Sequence, residues 1–164
     1  MAQEIERKFL VKGDAYKALA FDHTRIIQGY IVSGGGRSVR VRIRGDRGYL
    51  TIKGASRDGG LSRYEFETEV PLSDAHELMS LCEPGRVEKT RWLVRSADGH
   101  IFEVDEFHGE NDGLVMAEVE LKNADETVEK PDFIGTEVTG DRRFYNAHMR
   151  RYPFCLWKDD CPKP

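Results

Sequence analysis

The sequence predicts a mainly β (α+β) fold, a closed eight-stranded antiparallel β-barrel with a few peripheral helices. Three observations lead there. Apolar and polar residues alternate with period two along most of the 164-residue chain. About eight such segments follow one another across short turns, the arrangement of sequence-adjacent hairpins. Only three stretches read as helix, and a strand count of this size closes into a cylinder that leaves no exposed sheet edge.

Residues 3–11 form the first predicted strand, with Glu4, Glu6 and Lys8 on one face and Ile5 and Phe9 on the other. Residues 14–20 read as a short helix. Strands at 24–33 and 37–44 are joined through Gly34-Gly35-Gly36, and a strand at 48–54 follows Gly45-Asp46-Arg47-Gly48. A loop at Ser56–Gly60 precedes a strand at 61–70. Ser73 is placed to cap a helix over 74–82. Strands at 86–95, 100–107 and 113–122 are separated by the turn formers Asp98-Gly99 and Asn111-Asp112-Gly113. Helical character returns near 141–151. Residues 1–157 read as a single domain and 158–164 as a frayed tail.

Composition narrows the function. Charged residues are 33% and aromatics 10%, a globular balance, and the net charge is only −4. A chain built to coat nucleic acid is usually basic, so no nucleic-acid partner is expected. No apolar run is long enough to span a bilayer, and Met1–Val11 lacks a signal peptide's apolar stretch. Cys82, Cys155 and Cys161 are an odd, scattered set that reads as free thiols in a reducing, cytoplasmic setting. The five histidines show no zinc-ligand spacing, and the glycine triplet lacks the Lys-Ser or Lys-Thr of a phosphate loop.

The informative feature is the charge on each strand face. Arg40, Arg42 and Arg44 share one face; Glu65, Glu67 and Glu69 another; so do Glu103 with Asp105, Glu118 with Glu120, and Lys89 with Arg91. Charged faces toward water and apolar faces inside would be the ordinary arrangement. Two points favour the reverse. Each strand carries a block of mainly one sign, which repulsion disfavours on a plain surface. The helices also need an apolar sheet face to dock on. Turned inward, these charges need compensation, since an unpaired buried ion costs several kcal/mol. A polyanion suits the bases through guanidinium forks, and hard divalent cations suit the carboxylates.

The motifs, in order, are Glu4-Ile5-Glu6-Arg7-Lys8, Arg40-Val41-Arg42, Thr51-Ile52-Lys53-Gly54, Arg63-Tyr64-Glu65-Phe66-Glu67 and Glu88-Lys89-Thr90-Arg91. Then come Glu103-Val104-Asp105, Phe107-His108-Gly109-Glu110-Asn111, Ala117-Glu118-Val119-Glu120-Leu121 and Gly135-Thr136-Glu137-Val138-Thr139-Gly140-Asp141, followed by Arg143 and Tyr145-Asn146. This set resembles the CYTH superfamily, or triphosphate tunnel metalloenzymes, in particular its short bacterial members, from about residue 2 to residue 150. The resemblance implies a charged tunnel in which a triphosphate is hydrolysed with Mg²⁺ or Mn²⁺. It implies that Arg40, Arg42, Lys53, Lys89 and Arg91, with Arg143 in the matching C-terminal segment, bind phosphates. Glu4, Glu6, Glu65, Glu67, Asp105, Glu118 and Glu120 would hold metal, directly or through water, and Lys8 would contact the reacting phosphoryl group. Lys8, Glu6 and Glu120 are thus the expected catalytic residues.

The superfamily also contains class IV adenylyl cyclases and thiamine triphosphatases, so three readings follow. A triphosphatase for inorganic tripolyphosphate or a small organic triphosphate leads, because no base-recognition element stands out. An adenylyl cyclase and a non-catalytic polyphosphate-binding module are the alternatives. Relatives that pair make a homodimer an expectation. Tyr30 reads as a core tyrosine, with an inward role as the alternative.

Overall fold

The protein is described by a computed structural model covering residues 3–164; Met1 and Ala2, the first residues of the predicted domain, lie outside the described residues. Among the described residues nine strands are present: β1 (Gln3–Val11), β2 (Asp22–Gly34), β3 (Arg37–Arg44), β4 (Arg47–Lys53), β5 (Ser62–Val70), β6 (Val87–Arg95), β7 (Ile101–Phe107), β8 (Val115–Glu120) and β9 (Ile134–Glu137). The helices are α1 (Tyr16–Leu19), α2 (Leu72–Ser80) and α3 (Asn146–Met149).

The first eight strands close the predicted barrel. The sheet runs β5-β4-β3-β2-β6-β7-β8-β1, and β1 pairs back onto β5 through Gln3↔Tyr64, Glu4↔Arg63 and Ile5↔Ser62. Every pairing is antiparallel. The ninth strand is an addition to the sequence reading. β5 covers only the first part of one edge of β1, and β9 takes up the rest, with Phe9↔Glu137 and Val11↔Ile134. Its four residues are too few to alternate legibly.

The barrel is turned inside out relative to a common soluble one. Its outer face is largely apolar, with ion pairs such as Arg25–Glu88 among the apolar residues, and is covered in patches. Val41, Ile43, Leu50 and Val70 lie under Ala75 and Met79 of α2. The helix sits so close that a Cβ at Gly48 would collide with the Ala75 methyl. Phe9, Val94, Phe102, Val104 and Val119 lie under Tyr16 of α1 and Phe133. The inward row turns apolar near one end, at Leu10, Val87, Phe107 and Met116, where the C-terminal segment packs on it with Phe144, Met149, Phe154 and Trp157. Each such side chain contributes about 1.5–3 kcal/mol when fully buried.

Three local expectations are corrected. The second helix begins at Leu72 after Pro71, whose fixed φ starts the first turn, so Ser73 lies inside the helix and caps nothing. The helical stretch at 141–151 is broken into a 3₁₀ turn, Arg142–Phe144, and the single turn of α3. Residues 158–164 do not fray: Lys158–Asp160 forms a 3₁₀ turn, Cys161 packs against the end cluster, and Thr136 Oγ1 donates to the Lys163 carbonyl at 2.8 Å. Among the described residues no helix is long and apolar enough to cross a membrane.

Candidate active site

The period-two parity that turns Val39 and Val41 outward turns Arg40 and Arg42 inward, and the same holds on each charged strand. The result is a cavity of about 430 Å³ lined by Glu4, Glu6, Lys8, Arg40, Arg42, Lys53, Glu65, Glu67, Lys89, Arg91, Glu118 and Glu120. All the expected site residues except Asp105 and Arg143 therefore meet in one lumen. Tyr30, Arg44, Arg63, Glu103, Tyr145 and Asn146 join them.

Bases gather on β3 and β6. Arg40 Nη2 donates to Thr51 Oγ1 at 3.1 Å and lies 3.5 Å from Glu67 Oε1. Arg42 donates through Nε to Gln28 Oε1 at 3.1 Å and has no carboxylate partner among the described residues. Lys89 Nζ donates to Asp105 Oδ2 at 2.7 Å and Asn146 Oδ1 at 2.9 Å. Arg91 forks onto Asp105 with both bonds at 2.8 Å and reaches Glu103 at 2.8 Å. One buried carboxylate thus serves two cations. Burial and the neighbouring guanidiniums of Arg40 and Arg91 push Arg42 down to about 9. Burial also outweighs Asp105 at Lys89, which falls to about 7 with Arg91 and Arg42 adding repulsion. Arg91 already neutralises Asp105, so this downward direction for Lys89 is consistent with Asp105 itself being held below its ordinary value.

Acids gather on β1, β7 and β8. Glu6 stands directly across from Glu120, and Glu118 directly across from Glu103. Like charges at such cross-strand sites repel. Lys8 relieves part of this, with Nζ 3.4 Å from Glu118 and 3.6 Å from Glu6. Burial favours the neutral form of Glu118, but Lys8, Arg91 and Lys89 overcome it and hold the carboxyl well below its usual range. Glu6 is left over: burial and then Glu118 push it up to about 8. Burial, followed by Glu4 and Glu103, raises Glu120. Lys53 bridges Glu65, at 3.3 Å, and Glu4; its Nζ lies 2.8 Å from Glu4 Oε2, but the aligned hydrogen bond goes to Oε1 at 3.1 Å.

This acid bank fits a hard divalent cation by chemistry. It offers several carboxylate oxygens, two of its members are unfavourably charged, and like-charged pairs stand opposite one another. Among the described residues no three His, Cys, Asp or Glu side chains already converge in ligand geometry. Lys8 and Lys53 are instead the cations between them, Lys8 between Glu6 and Glu118 and Lys53 between Glu4 and Glu65.

Two expected site residues lie elsewhere. Asp105 is 0% exposed and sits behind the wall as a brace for Lys89 and Arg91, because parity fixes a side chain's face but not its depth. Arg143 is turned away from the cavity: it pairs with Asp141 at 2.6 Å and lies over the Phe144 and Trp157 rings, in the 3₁₀ turn that interrupts the expected helix.

Sequence reasoning did not select Arg63 as a liner, and it placed Glu103 on an inward face without naming it a site residue, though each shares parity with residues it did select. Arg63 lies 5.4 Å from the Tyr145 ring and Lys8 4.9 Å from the same ring. Tyr30 is both buried and inward, accepting at its hydroxyl from Gln28.

Comparison with known proteins agrees with this architecture. A family model described as the CYTH domain matches residues 2–145. An inorganic triphosphatase of Acetivibrio thermocellus is 48% identical over 160 residues, spanning 97% of this chain and 100% of the relative. An inorganic triphosphatase of Nitrosomonas europaea is 35% identical over 149 residues, spanning 89% and 95%. The crystal structure of an inorganic triphosphatase matches with a TM-score of 0.62 at 30% identity, covering 92% of this chain and 95% of that one. With its ionic lumen and a match over nearly its whole length, the chain belongs to the CYTH domain family.

Proposed function

We propose that this protein hydrolyses a triphosphate, inorganic tripolyphosphate or a small organic triphosphate, inside the lumen with Mg²⁺ or Mn²⁺. The observation that carries the reading is the double electrical mismatch of the tunnel. Arg42 and Lys89 are cations held below their ordinary pKa, while Glu6 is an acid held above its own. A polyanion relieves the first bank and a divalent cation the second. The names of the Acetivibrio and Nitrosomonas relatives support the same chemistry.

Arg40, Arg42, Lys53, Lys89 and Arg91 grip phosphate oxygens, with the guanidiniums as forks. Lys8, steadied by Glu6 and Glu118, sits against the reacting phosphoryl group and stabilises charge on its oxygens. Glu4, Glu6, Glu118 and Glu120 are the ligands for metal, with Glu65 and Glu67 beside them. Bound Mg²⁺ or Mn²⁺ would neutralise phosphate charge and acidify a water for in-line attack. The row Val32–Val39–Ile52–Phe66, apolar across four strands with Val32, Ile52 and Phe66 exposed, supports a homodimer, which sedimentation would test. The free thiols support a reducing, cytoplasmic setting.

Phosphate release from tripolyphosphate, ATP and thiamine triphosphate, with and without Mg²⁺ or Mn²⁺, tests the reading. Release from at least one, dependent on metal, is expected. Cyclic AMP and pyrophosphate from ATP would move the protein to the cyclases, and tight binding without turnover would make it a binding module.

A further inference from the structure

Two neutral side chains sit among the ions of the lumen wall. Gln28, on β2, is 0% exposed. Asn146 is the first residue of α3 and reaches the cavity from the C-terminal segment. Lys89 has only donors, so Asn146 must present Oδ1 to it, at 2.9 Å. The same oxygen accepts from Gln28 Nε2 at 3.0 Å. With its nitrogen so engaged, Gln28 turns Oε1 to Arg42 Nε, another obligate donor, at 3.1 Å. Both amide orientations are thereby fixed by the cations at the two ends of the chain.

We propose that Gln28 and Asn146 form an amide relay that positions Arg42 and Lys89 for phosphate; the proposal rests on the triphosphatase reading. The relay takes the donors that substrate does not need. Arg42 is anchored through Nε, and its two terminal nitrogens make no hydrogen bond among the described residues. Lys89 gives one N–H to Asp105 and one to Asn146, which leaves a third for the lumen. Anchoring by carboxylates at 28 and 146 would cancel the positive charge that attracts a polyphosphate. Amides aim the two cations without adding negative charge to that of Asp105. The relay also makes the seating of α3 part of the substrate grip.

The test is the kinetics of tripolyphosphate hydrolysis for Gln28→Met, Asn146→Ala and the double variant, with folding checked by circular dichroism. Each single change should raise KM about ten- to hundredfold, the worth of one hydrogen bond to a charged group, with a much smaller change in kcat. The double variant should be no worse than the poorer single one, because both act on one chain of bonds. In an Arg42→Ala background Gln28→Met should cost little more. Parental KM in folded Gln28→Met and Asn146→Ala overturns the relay, as does a loss confined to kcat or simple additivity in the double variant. If Gln28→Met does not fold, the KM cost of Asn146→Ala is compared with and without Arg42→Ala: it should shrink in the Arg42→Ala background to the part carried through Lys89, and an undiminished cost overturns the relay. A parent that releases no phosphate sinks the triphosphatase reading itself, and calorimetry with tripolyphosphate then asks the relay's question of binding alone.

Discussion

Replacing Asp105 with Asn separates a brace from a metal ligand. The carboxylate is wholly buried and accepts from Lys89 Nζ and from Arg91 Nε and Nη2, at 2.7, 2.8 and 2.8 Å. Removing one partner of a buried ion pair costs about 3–5 kcal/mol, because the remaining charge is stranded. Two cations would be stranded here, although Glu103 still holds Arg91 at 2.8 Å and limits the loss to the lower part of that range. For a chain of this size 1 kcal/mol moves Tm by about 2–4 °C, so a fall of roughly 6–12 °C is expected. Thermal unfolding followed by circular dichroism in metal-free buffer measures it. The pH dependence has a definite sign. Burial alone would raise Asp105, but Arg91 and Lys89 win and its folded pKa is lowered. Its contribution is therefore complete above the unfolded value, about 3.9, and is lost as pH falls through the folded one. Through Asp105 itself, the gap between parent and variant should close in acid. A variant with parental Tm without metal, but with weakened activation by Mg²⁺ or Mn²⁺, would refute the brace and restore Asp105 as a ligand.

Other perturbations have equally definite outcomes. Glu6→Gln and Glu120→Gln should abolish metal-dependent phosphate release while leaving the circular dichroism spectrum of the parent. Arg42→Ala should raise KM for tripolyphosphate about ten- to hundredfold and leave the Tm of the ligand-free protein unchanged or higher, since that guanidinium is unfavourably charged in the empty lumen. Gly48→Leu should cost about 1–3 kcal/mol by pushing α2 off the barrel at Ala75, read as a lower urea midpoint with activity per folded molecule retained. Tripolyphosphate with Mn²⁺ at about a hundred times its Kd should stabilise the parent by about 2.7 kcal/mol in a thermal-shift assay, and the same addition should do nothing for Arg40→Ala/Arg42→Ala.

The barrel and the composition of its lumen were legible because a strand's period is two. Once Arg40 and Arg42 are assigned to one face, Val39 and Val41 must take the other, and one sign per strand argued for the inward choice. What the period does not encode is depth and long-range pairing. Asp105 shares parity with Glu103, yet one lies behind the wall and the other in the cavity. The closing pair β1–β5 joins residues some sixty positions apart. Arg143 was expected at the phosphates from the resemblance of its segment alone, and a 3₁₀ turn carries it outward onto Asp141. Gln28 went unread, because its role depends on Asn146, 118 residues later.

The inversion of polarity explains why so much ordinary stabilising structure lies outside the barrel. A lumen kept ionic for substrate cannot serve as the hydrophobic core, so apolar burial moves to the outer face and to one end. There α1, α2 and the C-terminal segment supply Tyr16, Ala75, Met79, Phe144 and Trp157 as covers. These short elements have little intrinsic stability, and two of the helices are only four residues long. They persist because the sheet needs covering. The same arrangement places Tyr145 and Asn146 in the lumen, so the piece that shields the apolar end also touches the machinery. Most apolar burial and the substrate grip thus lie on opposite faces of the same strands, and they meet where the C-terminal segment enters the tunnel.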